Sequence, residues 1–130
     1  GLQGSIRAVS NIEALKRNIK AVICVDMLGD KDLNAIIPAN GTKELTEKVL
    51  SVAASLGLSS IVSKSNVHVK DDHQPFLDRG FPAVNIIDFS YGPKNSWWHT
   101  SSDTMDKISE ESLFKAGSLV AGVISSLAID

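Results

Sequence analysis

Ile19-Lys-Ala-Val-Ile-Cys-Val-Asp26 is the stretch that decides the fold. From Ile19 to Val25 it is almost wholly apolar and rich in β-branched side chains, as expected for a strand covered on both faces in an α/β sheet. The run stops at Asp26. A carboxylate where such a strand leaves the core stands where open α/β sheets place function, at the carboxyl end of a strand. Asp26 reads equally as a turn residue before Gly29-Asp30. Cys24, the one cysteine of the chain, has no partner for an internal disulfide and reads as a small buried hydrophobe rather than a nucleophile.

On the N-terminal side, Ile6, Val9, Ile12 and Leu15 recur at three-residue spacing and predict a helix over residues 5–18. Ser10 and Glu13, at capping-box separation, place a break near Ser10. On the C-terminal side, the turn formers of Gly29-Asp-Lys-Asp32 lead into a short strand, Leu33 to Ile37, which Pro38 closes and which is expected at a sheet edge. Asn40-Gly41 marks the next turn, and Thr42 caps a helix with Leu45, Val49, Val52, Ala53 and Leu56 on its apolar stripe, ended by Gly57. Val67 and Val69, alternating with His68 and Lys70, predict a half-exposed strand with His68 towards solvent. Ala83 to Phe89 reads as a second buried strand. A covering helix starts at Ser109, carries Glu110 and Glu111 in its first turn, and is expected to bury Leu113, Ala116, Val120, Ile124 and Leu127. The alternation of helices and strands predicts an α/β fold, with helices layered on a mostly parallel or mixed central sheet.

With 130 residues, 43% of them hydrophobic, the chain is expected to form a single domain over 1–130. A net charge of −2 and scattered Lys and Arg give no basic field, which argues against nucleic acid or an anionic membrane as partner. No apolar run approaches the ~20 residues that span a bilayer, so a soluble chain is expected.

Ionisable residues gather at three places, each at or after a strand end. Asp26 is the first. Asp71-Asp-His73 is the second, lying before Gln74-Pro75 at a helix start; the helix dipole accounts for one acid there but hardly for three ionisable groups in a row. The third is His99, inside Asn95-Ser-Trp-Trp-His-Thr-Ser-Ser-Asp-Thr104. An imidazole beside Trp97 and Trp98 is expected partly out of water and in need of defined partners, either a metal ion or its own loop. Carboxylate and imidazole ligands, acids to orient them and one open position are what a hydrolytic zinc site requires.

Val25-Asp-Met-Leu-Gly29, Asp71-Asp-His-Gln-Pro-Phe76 with Gly80-Phe-Pro82 behind it, and Trp98-His-Thr100 with Asp103-Thr104 together resemble the zinc aminopeptidases of metallopeptidase family twenty-eight and the glutaminyl cyclases that share their fold. The resemblance implies a zinc-exopeptidase architecture and a zinc cofactor, one or two ions in the complete enzyme. It makes Asp26 and His99 metal ligands and places Asp71 in the acid hydrogen-bond network of the cyclases. Asp72 and His73 carry over only as supports, and Trp98 with Trp97 as the substrate-pocket wall. The implied substrates are peptide N-termini. In an aminopeptidase, zinc polarises the scissile carbonyl and activates a water. In a cyclase it polarises the side-chain amide of an N-terminal glutamine that the substrate's own α-amine attacks. The Asp71 network and the paired tryptophans lean towards the cyclase-like bacterial branch.

Gly1-Leu-Gln-Gly-Ser5 is similar to a family segment that follows a pair of glutamates, one the general acid/base and the other a metal ligand. The resemblance therefore implies the C-terminal half of the enzyme, with its base upstream of Gly1, no turnover alone, and a sheet edge open to the missing half or to a second copy. A periplasmic or secreted location is implied in the same way. The competing expectation is a non-catalytic binding module or degenerate relative.

Overall fold

The computed structural model describes residues 2–14 and 18–129. Leu15 and the side chain of Glu13, both part of the expected first helix, lie outside the described residues. The chain runs α1 (Gln3–Ala14), β1 (Val22–Asp26), β2 (Ala35–Ile37), α2 (Lys43–Ser55), β3 (Val62–Lys64), α3 (Gln74–Leu77), β4 (Ala83–Ile87) and α4 (Glu110–Ile129). This is the order read from the sequence.

The sheet has the order β1-β4-β2-β3. β1 is parallel to β4 from Val22↔Ala83 to Asp26↔Ile87, β2 is parallel to β3, and β2 meets β4 antiparallel at Ile36↔Ile87. The sheet is thus mixed. Side chains alternate across it. Ile23, Val84, Ile86, Ala35, Ile37 and Val62 pack on one face with Leu45, Val49 and Ala53 of α2 and Ala116, Leu119 and Val123 of α4. Val22 and Ala83 turn to the other face, against Val9 of α1 and Phe76 of α3. With strands on both sides and helices over both faces, β4 buries all five of its residues.

Several expectations are corrected. β2 lies between β4 and β3 rather than at an edge, because its partner β3 is Val62–Lys64 and not the segment around Val67 and Val69. His68 is exposed, as expected. α1 runs unbroken through Ser10, whose hydroxyl donates to the carbonyl of Ile6 within the helix. Thr42 precedes α2 but does not cap it with its side chain: Oγ1 accepts the Ala83 N–H at 3.0 Å, fastening the helix start to β4.

α4 keeps part of its expected inward face, with Ala116 buried and Val120 and Leu127 packed against the core, but its centre is shifted. Leu119 and Val123 are buried, while Leu113 is 51% and Ile124 55% exposed. From Ala116 to Ile129 the helix carries no charged residue, so apolar spacing alone does not select one face. Gly122 does, because a Cβ there would lie 2.7 Å from Val52 Cγ1, and this close approach to α2 turns Leu119 and Val123 inward. Among the described residues no helix is long and apolar enough to cross a membrane.

Candidate metal and substrate site

Parallel pairing sends the carboxyl ends of β1 and β4 the same way, so the turn after Asp26 and the long segment after β4 leave the sheet side by side. Between them lies a cavity of about 280 Å³ lined by Asp26, Met27, Asp30, Tyr91, Trp98, His99 and Asp103, with Gly29 and Ile108 completing the wall. Asp26 and His99, far apart in sequence, therefore meet in one cavity.

Asp26 is set by its strand. Cys24 and Asp26 share one face of β1, and Cys24 pairs with Asn85 of β4 on that face. Asp71 bridges this pair: Oδ2 accepts from Asn85 Nδ2 at 2.9 Å and from the Cys24 thiol at 3.7 Å, and Oδ1 accepts the Asp72 N–H at 2.7 Å. Partial burial, followed by the nearby Asp71 carboxylate, raises the pKa of Asp26; the Met27 N–H and His99 pull the other way, and Asp72 adds to the rise. Burial and then the same acids push the Cys24 thiol up to about 12, which keeps it protonated and unreactive.

His99 is set by its loop. The imidazole stacks on Trp98 with centroids 4.1 Å apart and planes 22° apart, and Trp98 in turn touches Phe89 at 5.3 Å. The side chain is exposed, not withdrawn from water as its neighbours suggested, because only one of the two indoles faces it. Trp97 does not line the cavity; it packs under the loop, edge-on to Tyr91 at 5.4 Å, with Gly92 against its ring. His99 has φ of 57° and Met27, directly after Asp26, has φ of 59°. Left-handed backbone at such residues costs about 1–3 kcal/mol and gathers at functional sites.

Asp72 is exposed and reaches the acid network through its backbone N–H rather than its carboxylate. His73 is fully buried, and Asn40 Nδ2 stands 3.0 Å from its Nε2. Asn40 also donates to Gln74 Oε1 at 2.7 Å and to the Val69 carbonyl at 2.9 Å. Burial lowers the pKa of His73 although Asp71 opposes it, so His73 is a neutral anchor for its loop. Sequence reasoning missed Asn85, whose signal was a polar residue inside an apolar strand, and Asp88. The latter, fully buried, accepts the Asn34 N–H at 2.7 Å and the Ser90 hydroxyl at 2.6 Å, tying the loop root to the start of β2. It also assigned no role to Tyr91 or Asp103, whose side chains meet at 2.6 Å with Tyr91 as donor.

By donor type Asp26 and His99 suit zinc, but a catalytic zinc takes three protein ligands. Among the described residues no group of three or more His, Cys, Asp or Glu could hold a metal ion. The fit is one of kind, and incomplete in number.

The fold is shared with proteins of known structure. A glutaminyl cyclase from an Acidobacteriales bacterium superposes with a TM-score of 0.91 at 37% identity, over 98% of this chain and 46% of that one. A zinc aminopeptidase from Bacillus subtilis gives a TM-score of 0.78 at 26% identity, over 97% of this chain and 32% of that one. A probable leucine aminopeptidase of Arthroderma otae is 24% identical over 99% of this chain and 36% of its own length. The chain thus spans about a third of such curated relatives and at most about half of such solved structures. The profile of Peptidase family M28 matches residues 1–124, and the chain belongs to that family of zinc-dependent aminopeptidases and glutaminyl cyclase-like enzymes.

Proposed function

We propose that this chain forms one wall of the active site of a zinc-dependent enzyme acting on peptide N-termini, of the glutaminyl cyclase-like branch. The observation that carries the reading is the meeting of Asp26 and His99 in one cavity beside Trp98. Asp26 and His99 would hold the ion. The neighbouring acids favour a cation there, since Asp71 and Asp72 already disfavour the charge on Asp26. Bound zinc supplies polarisation of the carbonyl or amide under attack. Asp71, fixed by three donors, keeps the acid pair in place, and the exposed face of Trp98 offers an apolar wall for the substrate's first residue. The 37% identity to a bacterial cyclase favours that branch over the aminopeptidases.

On this reading the isolated chain is inactive. Two donors do not complete a zinc shell, and no glutamate is among the residues lining the cavity to serve as base. Calorimetric titration with zinc chloride is the test. Weak binding that Asp26→Ala and His99→Ala each abolish is expected, and binding that survives both substitutions sinks the reading. A longer polypeptide carrying the family's other positions should close the ring of peptides with N-terminal glutamine faster than it releases leucine from leucinamide; the reverse would make it an aminopeptidase.

The partner side of the reading rests on β1. Among the described residues it pairs with β4 alone, and Val25 is 46% exposed although parallel strands are ordinarily covered on both faces. Phe114, Leu113 and Ile124 add an exposed apolar stretch on α4. The remainder of a longer family member, or a second copy of this chain, would cover this edge. Light scattering of the isolated chain that shows a monomer at every concentration would exclude the second copy.

A further inference from the structure

Tyr91 uses every group it has on one loop. Its N–H donates to Asn95 Oδ1 at 3.1 Å, its carbonyl accepts the Trp97 N–H at 3.3 Å, and its ring meets Trp97 edge-on. The hydroxyl crosses the loop to Asp103 Oδ1 at 2.6 Å, and the Asp103 N–H donates to the Thr100 carbonyl at 3.1 Å. Trp97 and Asp103 are the two ends of the span that carries His99, so both ends are fastened to one residue, Trp97 by the Tyr91 carbonyl and ring and Asp103 by the Tyr91 hydroxyl, and that residue is only 7% exposed. Within the span His99 holds φ of 57°, a conformation that persists only where its surroundings over-determine it. Among the described residues no hydrogen bond to the His99 ring nitrogens contributes, and the ring is held by its stack on Trp98. Asp103 keeps the phenol protonated, with its pKa up to about 12, so the donor persists through neutral and mildly alkaline pH.

We propose that Tyr91 is a positioning residue for His99, acting through its hydroxyl and Asp103 to fix where the imidazole stands in the cavity. Its bearing on catalysis rests on the zinc reading above; the positioning itself does not.

The chain has three histidines, so the His99 ring protons are assignable by comparison with His99→Ala, and the stack on Trp98 shifts them upfield. In Tyr91→Phe, which keeps the ring against Trp97, these resonances should move towards their unstacked positions, and zinc affinity should fall about ten-fold, as when a metal ligand loses its orienting partner. Asp103→Ala should behave like Tyr91→Phe, and the double variant should be no worse than either single one. Asp103→Asn, which keeps an acceptor, should restore the parent spectrum. A thermal scan of each variant verifies that it is folded.

His99 resonances unchanged in both Tyr91→Phe and Asp103→Ala would overturn the proposal, even with a lowered unfolding midpoint, because the hydroxyl would then only stabilise the loop. Resonances that move with Tyr91→Phe but never respond to zinc in the parent chain would uphold the positioning and refute the zinc reading.

Discussion

Asn85 and Asp71 are joined at 2.9 Å on the face of the sheet that carries Asp26, and the Asn85 side chain is wholly buried. The amide thereby holds a charge-bearing group against the strand ladder that delivers Asp26. Asn85→Leu removes the donor while keeping similar volume, and should lower the free energy of unfolding by about 1–3 kcal/mol, the penalty of leaving the half-buried Asp71 acceptor short of a partner. Urea denaturation checks it. An unchanged midpoint would mean that Cys24 and the Asp72 N–H hold Asp71 without help.

Asp26 itself gives a pH signature. Its pKa in the folded chain lies above the ordinary value, chiefly through burial and then Asp71, so the folded state binds this proton more tightly than the unfolded one. For this group, stability is fully present below about pH 3.9 and is lost as pH rises through the folded pKa. Asp26→Asn removes that loss. In metal-free buffer the melting temperature of the variant, relative to the parent, should climb between about pH 3.5 and pH 7. A difference that is flat or falling over that window would show that the carboxylate carries no such strain.

Gly92 has φ of 74°, and a Cβ there would come within 2.7 Å of Trp97 Cγ. Gly92→Ala therefore meets both a backbone and a steric penalty, and a loss of about 1–3 kcal/mol is expected. Tryptophan emission followed through denaturation reports it, since one of the two indoles must move. Full retention of stability would place the indole elsewhere.

The rotation of α4 is testable by contrast. Leu119→Ala, at a side chain 1% exposed, should cost about 2–5 kcal/mol. Phe114→Ala, at one 73% exposed, should stay within about 0.5 kcal/mol in the monomeric chain. Equal costs would restore the setting with Leu113 and Ile124 inward.

The element order was legible because β1 and β4 are β-branched apolar runs, although β4 alone of the two is covered on both faces and β1 is a half-exposed edge strand, and because Gly57 and the Glu110-Glu111 pair mark helix ends by local chemistry. The setting of α4 was legible only in part: Ala116, Val120 and Leu127 face the core as read, but Leu113 and Ile124 do not, since a helix apolar on most sides is oriented by a contact with α2 at Gly122 that no periodicity encodes. β3 was misplaced for a related reason: Val67 and Val69 alternate as a strand would, yet the backbone at Ala35 and Ile37 pairs with the earlier Val62–Lys64. The meeting of Asp26 and His99 in one cavity was legible because one stood at a strand end and the other in the loop after a strand. His73 and Trp97 shared the same motifs but face away, one clamped by Asn40 and the other packed on Gly92. Asn85 and Asp88 act through hydrogen bonds to Asp71 and Asn34, distant in sequence, which depend on where β4 enters the sheet, and Tyr91 through bonds within its own loop.

That entry point also orders assembly in time. Among the described strands β4 comes last in sequence, and it lies between the first and the second. A chain emerging from its N-terminus holds β1 apart from the β2-α2-β3 unit until Ala83–Ile87 arrives between them, and the loop bearing His99 follows only afterwards. Long-range pairing of this kind delays closure, because the entropy of a long segment is lost before its contacts form. Until translation passes Ile87, Asp26 and Asp71 belong to two unjoined pieces of an incomplete sheet.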